Sequence, residues 1–177
     1  MALPAANQQD ELRESLREGQ PYRVLACWSS GKSGLVRSDS DPHAIHFTAP
    51  PRFGGLEGRW TPEDLLLGAI ASCYTTTFCA LAEYSKLEYL GLAVDVRGSL
   101  RKADRGYSFG EIAICPRLSI VGAEEQHRAL RLLQKAAATC PVSRLLAVEP
   151  AFEPQVQVLA STSASACAGE THSGGAI

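Results

Sequence analysis

Two cysteines carry the chemistry this sequence can do. Cys73 lies in the middle of a stretch without charge, Leu65 to Ala82, and Cys140 stands at the end of a second helical segment, directly before Pro141. A thiol held close to another can be oxidised by a peroxide to a sulfenic acid and then captured as a disulfide. That chemistry needs no metal and no organic cofactor, and none is expected. Cys73 alone is weak ground for it, because cysteine is among the most buried residue types and is usually inert when buried. Three features strengthen the case. Charged side chains gather at the entrance to the first helix: Arg52, Glu57, Arg59, Glu63 and Asp64. Cys140 occupies a helix end fixed by proline, an awkward place for core filling and a good one for presenting a thiol. The helix carrying Cys73 is also long and apolar enough to line a pocket for a greasy substrate.

The remaining candidates read more simply. Cys27, Cys79 and Cys115 suit small strand or core positions, and Cys167 falls in a loose tail. Cys79 follows Cys73 by six residues (79 − 73), about 240° round a helix, so those two do not meet. Gly31-Lys32-Ser33 resembles the end of a phosphate-binding loop, but its first glycine would fall on Ala26, which leaves a hairpin tip. His43 and His46 are three apart on a predicted strand and face opposite sides, a poor arrangement for one ion.

The elements that must position the two thiols can be read from periodicity. Residues 8–18 predict a short exposed helix ended by Gly19 and Pro21. Three strand-like pieces follow, YRVLACW, GLVRS and HAIHF, with turns at Gly31, Gly34 and Asp39–Pro42. After a loop over Pro50–Trp60, Thr61 caps a helix that opens on Pro62, Glu63 and Asp64 and runs to about Tyr84. Apolar and small residues lie all round it, which predicts burial on most sides. Tyr89–Lys102 and Tyr107–Val121 predict a long hairpin, and the alternation in LAVDVRGSL predicts one buried and one wet face. A helix over 123–139 shows Ala129, Leu132, Leu133 and Ala136 at helical spacing, and Phe152–Leu159 gives a last strand. The order implies an α+β class with a mostly antiparallel sheet. Residues 1–20 are expected to be an extension, 21–159 a single domain, and 160–177 a disordered tail.

Composition narrows the function classes. A net charge of −2 and a pI near 6.1 give no basic footprint for nucleic acid and no polybasic membrane anchor. With 45% hydrophobic and 20% charged residues the chain is not disordered as a whole. Asp10, Glu11, Arg13, Glu14, Arg17 and Glu18 stand where a signal peptide would be apolar, so a cytoplasmic protein with reduced cysteines is expected. Ser72, Tyr74 and Thr75–Thr77 favour a buried helix over a membrane span for the uncharged stretch.

Several motifs coincide with those of a known family. Arg52-Phe53 sits in a glycine-rich loop, followed by Pro62-Glu63-Asp64-Leu65-Leu66, then Ala71-Ser72-Cys73, and later Thr139-Cys140-Pro141-Val142-Ser143-Arg144-Leu145-Leu146. Glutamate stands ten residues before the first cysteine (73 − 63), and the second cysteine 67 after it (140 − 73). In these respects the chain resembles the OsmC/Ohr family of osmotically inducible and organic hydroperoxide resistance proteins, over roughly Tyr22 to Leu159. The resemblance implies an intertwined homodimer with curved sheets around long central helices. It also implies a thiol peroxidase for organic hydroperoxides, and less efficiently hydrogen peroxide, reset by an external dithiol (lipoyl-type or another thiol). Cys73 would be the peroxidatic cysteine and Cys140 the resolving one, with Arg52 and Glu63 polarising the site. Some members draw the arginine from the first hairpin tip, where this chain has Lys32, a point charge and a poorer clamp for a peroxide. The alternative is a non-catalytic dimeric module of the same fold that binds lipophilic ligands or senses redox state.

The physics agrees with those roles. A thiol of pKa about 8.5 is roughly 3% thiolate at pH 7, and lowering it to about 6 gains about thirty-fold. A guanidinium can supply that stabilisation and also meet the developing charge on a peroxide oxygen. Glu63 and Cys73 lie about 15 Å apart along one helix, too far for a glutamate side chain. Two such helices packed antiparallel would bring Glu63 of one chain near Cys73 of the other, which predicts a site built across a dimer.

Overall fold

Gly31 makes the first turn at φ +51°, a backbone region that glycine enters without a side-chain clash. It joins β1 (Val24–Ser30) to β2 (Ser33–Ser38), and β3 (Asp41–Thr48) returns antiparallel to β2. The three expected strand pieces are therefore one sheet in the order β1-β2-β3, and Gly31-Lys32 is its hairpin tip. β1 is exposed along its length, Val24, Leu25 and Trp28 included. The computed structural model describes residues 22–104 and 106–159, so the helix expected over 8–18 and the tail from 160 fall outside the described residues. Two units divide the chain, the first ending at Asp64 and the second starting at Leu65.

Within the first unit, Thr48 organises the loop after β3. Its side chain is fully buried and accepts from Ser33 Oγ at 3.0 Å and from the Leu56 N–H at 3.2 Å, while its own N–H donates to the Trp60 carbonyl at 2.9 Å. The loop turns so tightly that a Cβ on Gly55 would lie 1.5 Å from the Ala49 carbonyl oxygen, so no side chain fits there. Helix α1 (Pro62–Ser85) starts from a reciprocal cap: Asp64 N–H donates to Thr61 Oγ1 at 3.2 Å, and Thr61 N–H donates to Asp64 Oδ2 at 2.8 Å.

In the second unit, α1 buries a single stripe, Ile70, Tyr74, Phe78 and Ala82, spaced by four residues. This corrects the expectation of burial on most sides. Ala69, Ser72, Thr76 and Ala80, on the opposite face, are exposed in the single chain. One packed layer can cover only one side of a helix, however apolar the rest.

The stripe joins a core with Ile112, Ile114, Leu118 and Ile120 from β5 (Gly106–Ile120) and with Ala129, Leu132, Leu133 and Ala136 from α2 (Gln126–Thr139). The four α2 residues are those the periodicity marked. β4 (Gly91–Ala103) pairs antiparallel with β5 as the expected hairpin. Its alternation is not realised as one buried and one wet face, since residues 91–96 are all half-buried. As the edge strand of its sheet, β4 is only partly covered.

A further difference has a local cause. The last strand is two short ones, β6 (Ala151–Phe152) and β7 (Gln155–Val158), both parallel to β5. The interruption lies opposite Cys115-Pro116, between the pairs Ile114–Phe152 and Arg117–Gln155. Ile114 and Ile120 accept from Glu153 and Leu159 on this side of β5, so Pro116, two residues from Ile114, should have pointed its N–H the same way. Proline has none, and Pro154 removes a second donor across the gap. The fold is α+β with a mostly antiparallel arrangement, its parallel pairs made possible by the α2 crossover.

Candidate active site

Cys73 precedes the buried Tyr74 on α1 and packs against the core while remaining half-buried. Cys140 caps the C-terminus of α2, its N–H donating to the Ala136 carbonyl at 2.9 Å, and is 0% exposed. The Tyr74 hydroxyl donates to the Leu133 carbonyl at 3.0 Å and so ties the two helices together beside the thiols. The result is that Cys73 and Cys140 face each other as free thiols, close enough for each to shift the other's acidity.

The turn after α2 supplies donors to this pair. Pro141 has no N–H, Val142 follows it, and Ser143–Leu145 form a 3-10 turn. The Val142 N–H faces both sulfurs, while the Ser143 hydroxyl and N–H face Cys140. Burial works to raise the Cys140 thiol, but donation from Ser143, Cys73 and Val142 outweighs it and holds Cys140 below the usual thiol range. Burial pushes Cys73 up, as does donating its own proton to a charged Cys140, with partial relief from Val142. The Thr77 hydroxyl lies against Cys73 too, but its one proton goes to the Cys73 carbonyl at 2.8 Å, so it does little for the sulfur. Within one chain, then, Cys140 is the thiol favoured to ionise. Neither Val142 nor Ser143 is singled out by residue type; the signal for them is a turn directly after a helix end, where successive N–H groups converge.

Arg52 and Glu63 lie in the first unit. Arg52 stands in a 3-10 turn (Pro51–Phe53) with its guanidinium 4.7 Å from the centre of the Phe53 ring. Lys32 donates to the Phe53 carbonyl, tying the hairpin tip to that turn. Glu63 begins α1, and its Oε2 is buried with no hydrogen-bond partner among the described residues. Of the four candidates, the structure brings the two cysteines together. The other described cysteines are spoken for locally: Cys27 is exposed on β1, Cys79 Sγ lies 3.4 Å from Tyr89 Oη, and Cys115 donates to Glu153 Oε2 at 3.5 Å.

Comparison with known proteins bears on the family and the fold. A sequence model described as OsmC-like protein matches residues 55–155. The chain is 25% identical over 128 residues to the uncharacterized protein YmaD of Bacillus subtilis, covering 71% of this chain and 85% of that protein. It is 27% identical over 106 residues to a protein of Escherichia coli named peroxiredoxin OsmC, covering 60% of this chain and 73% of the relative. Among solved structures, an organic hydroperoxide resistance protein OsmC from Legionella pneumophila superposes with a TM-score of 0.63 at 21% identity, over 77% of this chain and 96% of its own. An OsmC-like protein of unknown function from Vibrio cholerae gives 0.68 at 16% identity, over 77% and 99%. These structures share the fold, and the sequence match across more than half of the chain places the protein in the OsmC-like family.

Proposed function

We propose that the protein is a thiol peroxidase that reduces organic hydroperoxides, and hydrogen peroxide less well. The Cys73 thiolate attacks one peroxide oxygen, the O–O bond breaks, and the alcohol leaves as it takes up a proton, so that Cys73 becomes a sulfenic acid. Cys140 then forms the S–S bond and the sulfenic oxygen departs as water. An external dithiol, lipoyl-type or another, is oxidised as it returns the pair to two thiols. One observation carries this reading: a half-buried thiol in contact with a fully buried one, in a chain of this family.

The Cys73 thiol is pushed up within one chain, chiefly by burial, so the reading needs a cation brought to it. Arg52 is the proposed source, with Glu63 to hold the guanidinium. The orphaned Glu63 Oε2 supports this, because an unmet buried acceptor costs about 1–3 kcal/mol. Two chains are proposed to pair through the exposed small-residue face of α1, setting Glu63 of one near Cys73 of the other.

The raised Cys73 thiol favours the second reading, a dimeric module that binds lipophilic ligands or senses redox state without turnover. Counting free thiols after mixing with cumene hydroperoxide separates the two. The peroxidase loses two thiols per chain, stops consuming peroxide as Cys73→Ser, and overoxidises Cys73 as Cys140→Ser. Unchanged consumption by Cys73→Ser would move the nucleophile elsewhere or leave the module.

A further inference from the structure

We propose that Ser143 is a positioning residue for the reductive half of the cycle: an incoming thiolate attacks the Cys73 sulfur, and Cys140 leaves into the donors of the Pro141–Ser143 turn. This rests on the disulfide cycle above and specifies its last step. Access decides the point of attack. In the single chain Cys140 is 0% exposed whereas Cys73 is half-buried, and Cys73 is also the sulfur that peroxide must reach in the cycle above, which makes it the point of attack for a reductant. Attack there breaks the S–S bond, leaves a mixed disulfide on Cys73, and puts the released electron pair on Cys140 Sγ. The second thiol of the dithiol then attacks its own sulfur in the mixed disulfide, forming the oxidised reductant and releasing Cys73.

Ser143 is placed to receive that charge. The residue is 9% exposed, and its buried Oγ makes no hydrogen bond among the described residues while lying close enough to the Cys140 sulfur to favour a thiolate there. A buried hydroxyl in that position costs energy unless a strong acceptor appears, and a departing thiolate is one. Lower basicity of the leaving thiol speeds disulfide exchange, and the donors from Ser143 and Val142 that hold Cys140 below the usual thiol range act in that direction. Among the described residues, the titratable groups facing Cys140 are the Cys73 thiol and the Tyr74 phenol.

The test uses full-length protein oxidised with diamide, so that the disulfide forms without peroxidase turnover. Reduction by dithiothreitol is then followed across pH for wild type, Ser143→Ala and Ser143→Thr. Ser143→Ala should be reduced about three- to tenfold more slowly, and Ser143→Thr should recover most of the rate. In a Cys73→Ser background, the thiolate absorbance assigned to Cys140 should titrate at higher pH once Ser143 is alanine, a shift that a packing defect alone would not produce. Quenching with an excess of a monothiol should leave the mixed disulfide on Cys73 by peptide mass. A mixed disulfide on Cys140, or an unchanged rate and titration in Ser143→Ala, overturns the proposal while the peroxidase reading stands. Failure of diamide to link Cys73 to Cys140 overturns both. A disulfide formed by diamide but not by cumene hydroperoxide overturns only the peroxidase reading.

Discussion

Arg52 and Lys32 differ in the shape of the charge each can present. The Lys32 ammonium is engaged by the Phe53 carbonyl and so braces the turn that carries Arg52. With the role proposed for its guanidinium, Arg52→Ala is expected to lower kcat/KM for cumene hydroperoxide by about 10²–10³-fold, with far-ultraviolet dichroism unchanged. Arg52→Lys should recover little, because an ammonium cannot present a planar fork. Lys32→Ala should cost less than about tenfold through a loosened turn; a larger loss than in Arg52→Ala would transfer the role to Lys32. At this scale the sequence disclosed the two thiols, since a cysteine before proline at a helix end is conspicuous. It could not disclose that Cys140 is the deeper and more acidic of the pair, because side-chain periodicity says nothing about where the N–H groups of the next turn point.

Tyr74 shows how the elements hold the site. Its phenol is buried in the core and donates to α2, with the Phe152 ring 6.1 Å away, and burial pushes its pKa far up, with the charge on Cys140 a second cause. An acid raised on folding gives stability that is intact below its unfolded value, near 10, and lost as pH climbs past it. Thermal unfolding between pH 9 and 11 should thus fall more steeply for wild type than for Tyr74→Phe, by up to about 1.4 kcal/mol per pH unit. At neutral pH the same variant should be less stable by about 1 kcal/mol, the worth of one hydrogen bond. The strands, both helices and the residues α2 buries were all legible from turn residues and spacing. The split of the last strand was not: its cause, Pro116, lies on a different strand, and only the register sets it opposite Pro154.

For the whole molecule, the faces left uncovered matter most. Ala69, Ser72, Thr76 and Ala80 line an exposed face of α1, and apolar Val24, Leu25 and Trp28 are exposed on β1. Small side chains let a second helix approach closely, so Ala80→Glu should convert a dimer into monomers by sedimentation and abolish peroxidase turnover while the chain stays folded. A monomeric wild type with full turnover would sink the shared site. Hydropathy led to an expectation of burial on most sides of α1, and in the single chain only the Ile70–Ala82 stripe is buried. Association through helices also fits the state of the second sheet's outer border. There Ala151–Phe152 and Gln155–Val158 are too short, and too broken by Pro154, to template another strand. That border is thereby guarded against runaway ribbon growth, even when the chain is crowded or newly made.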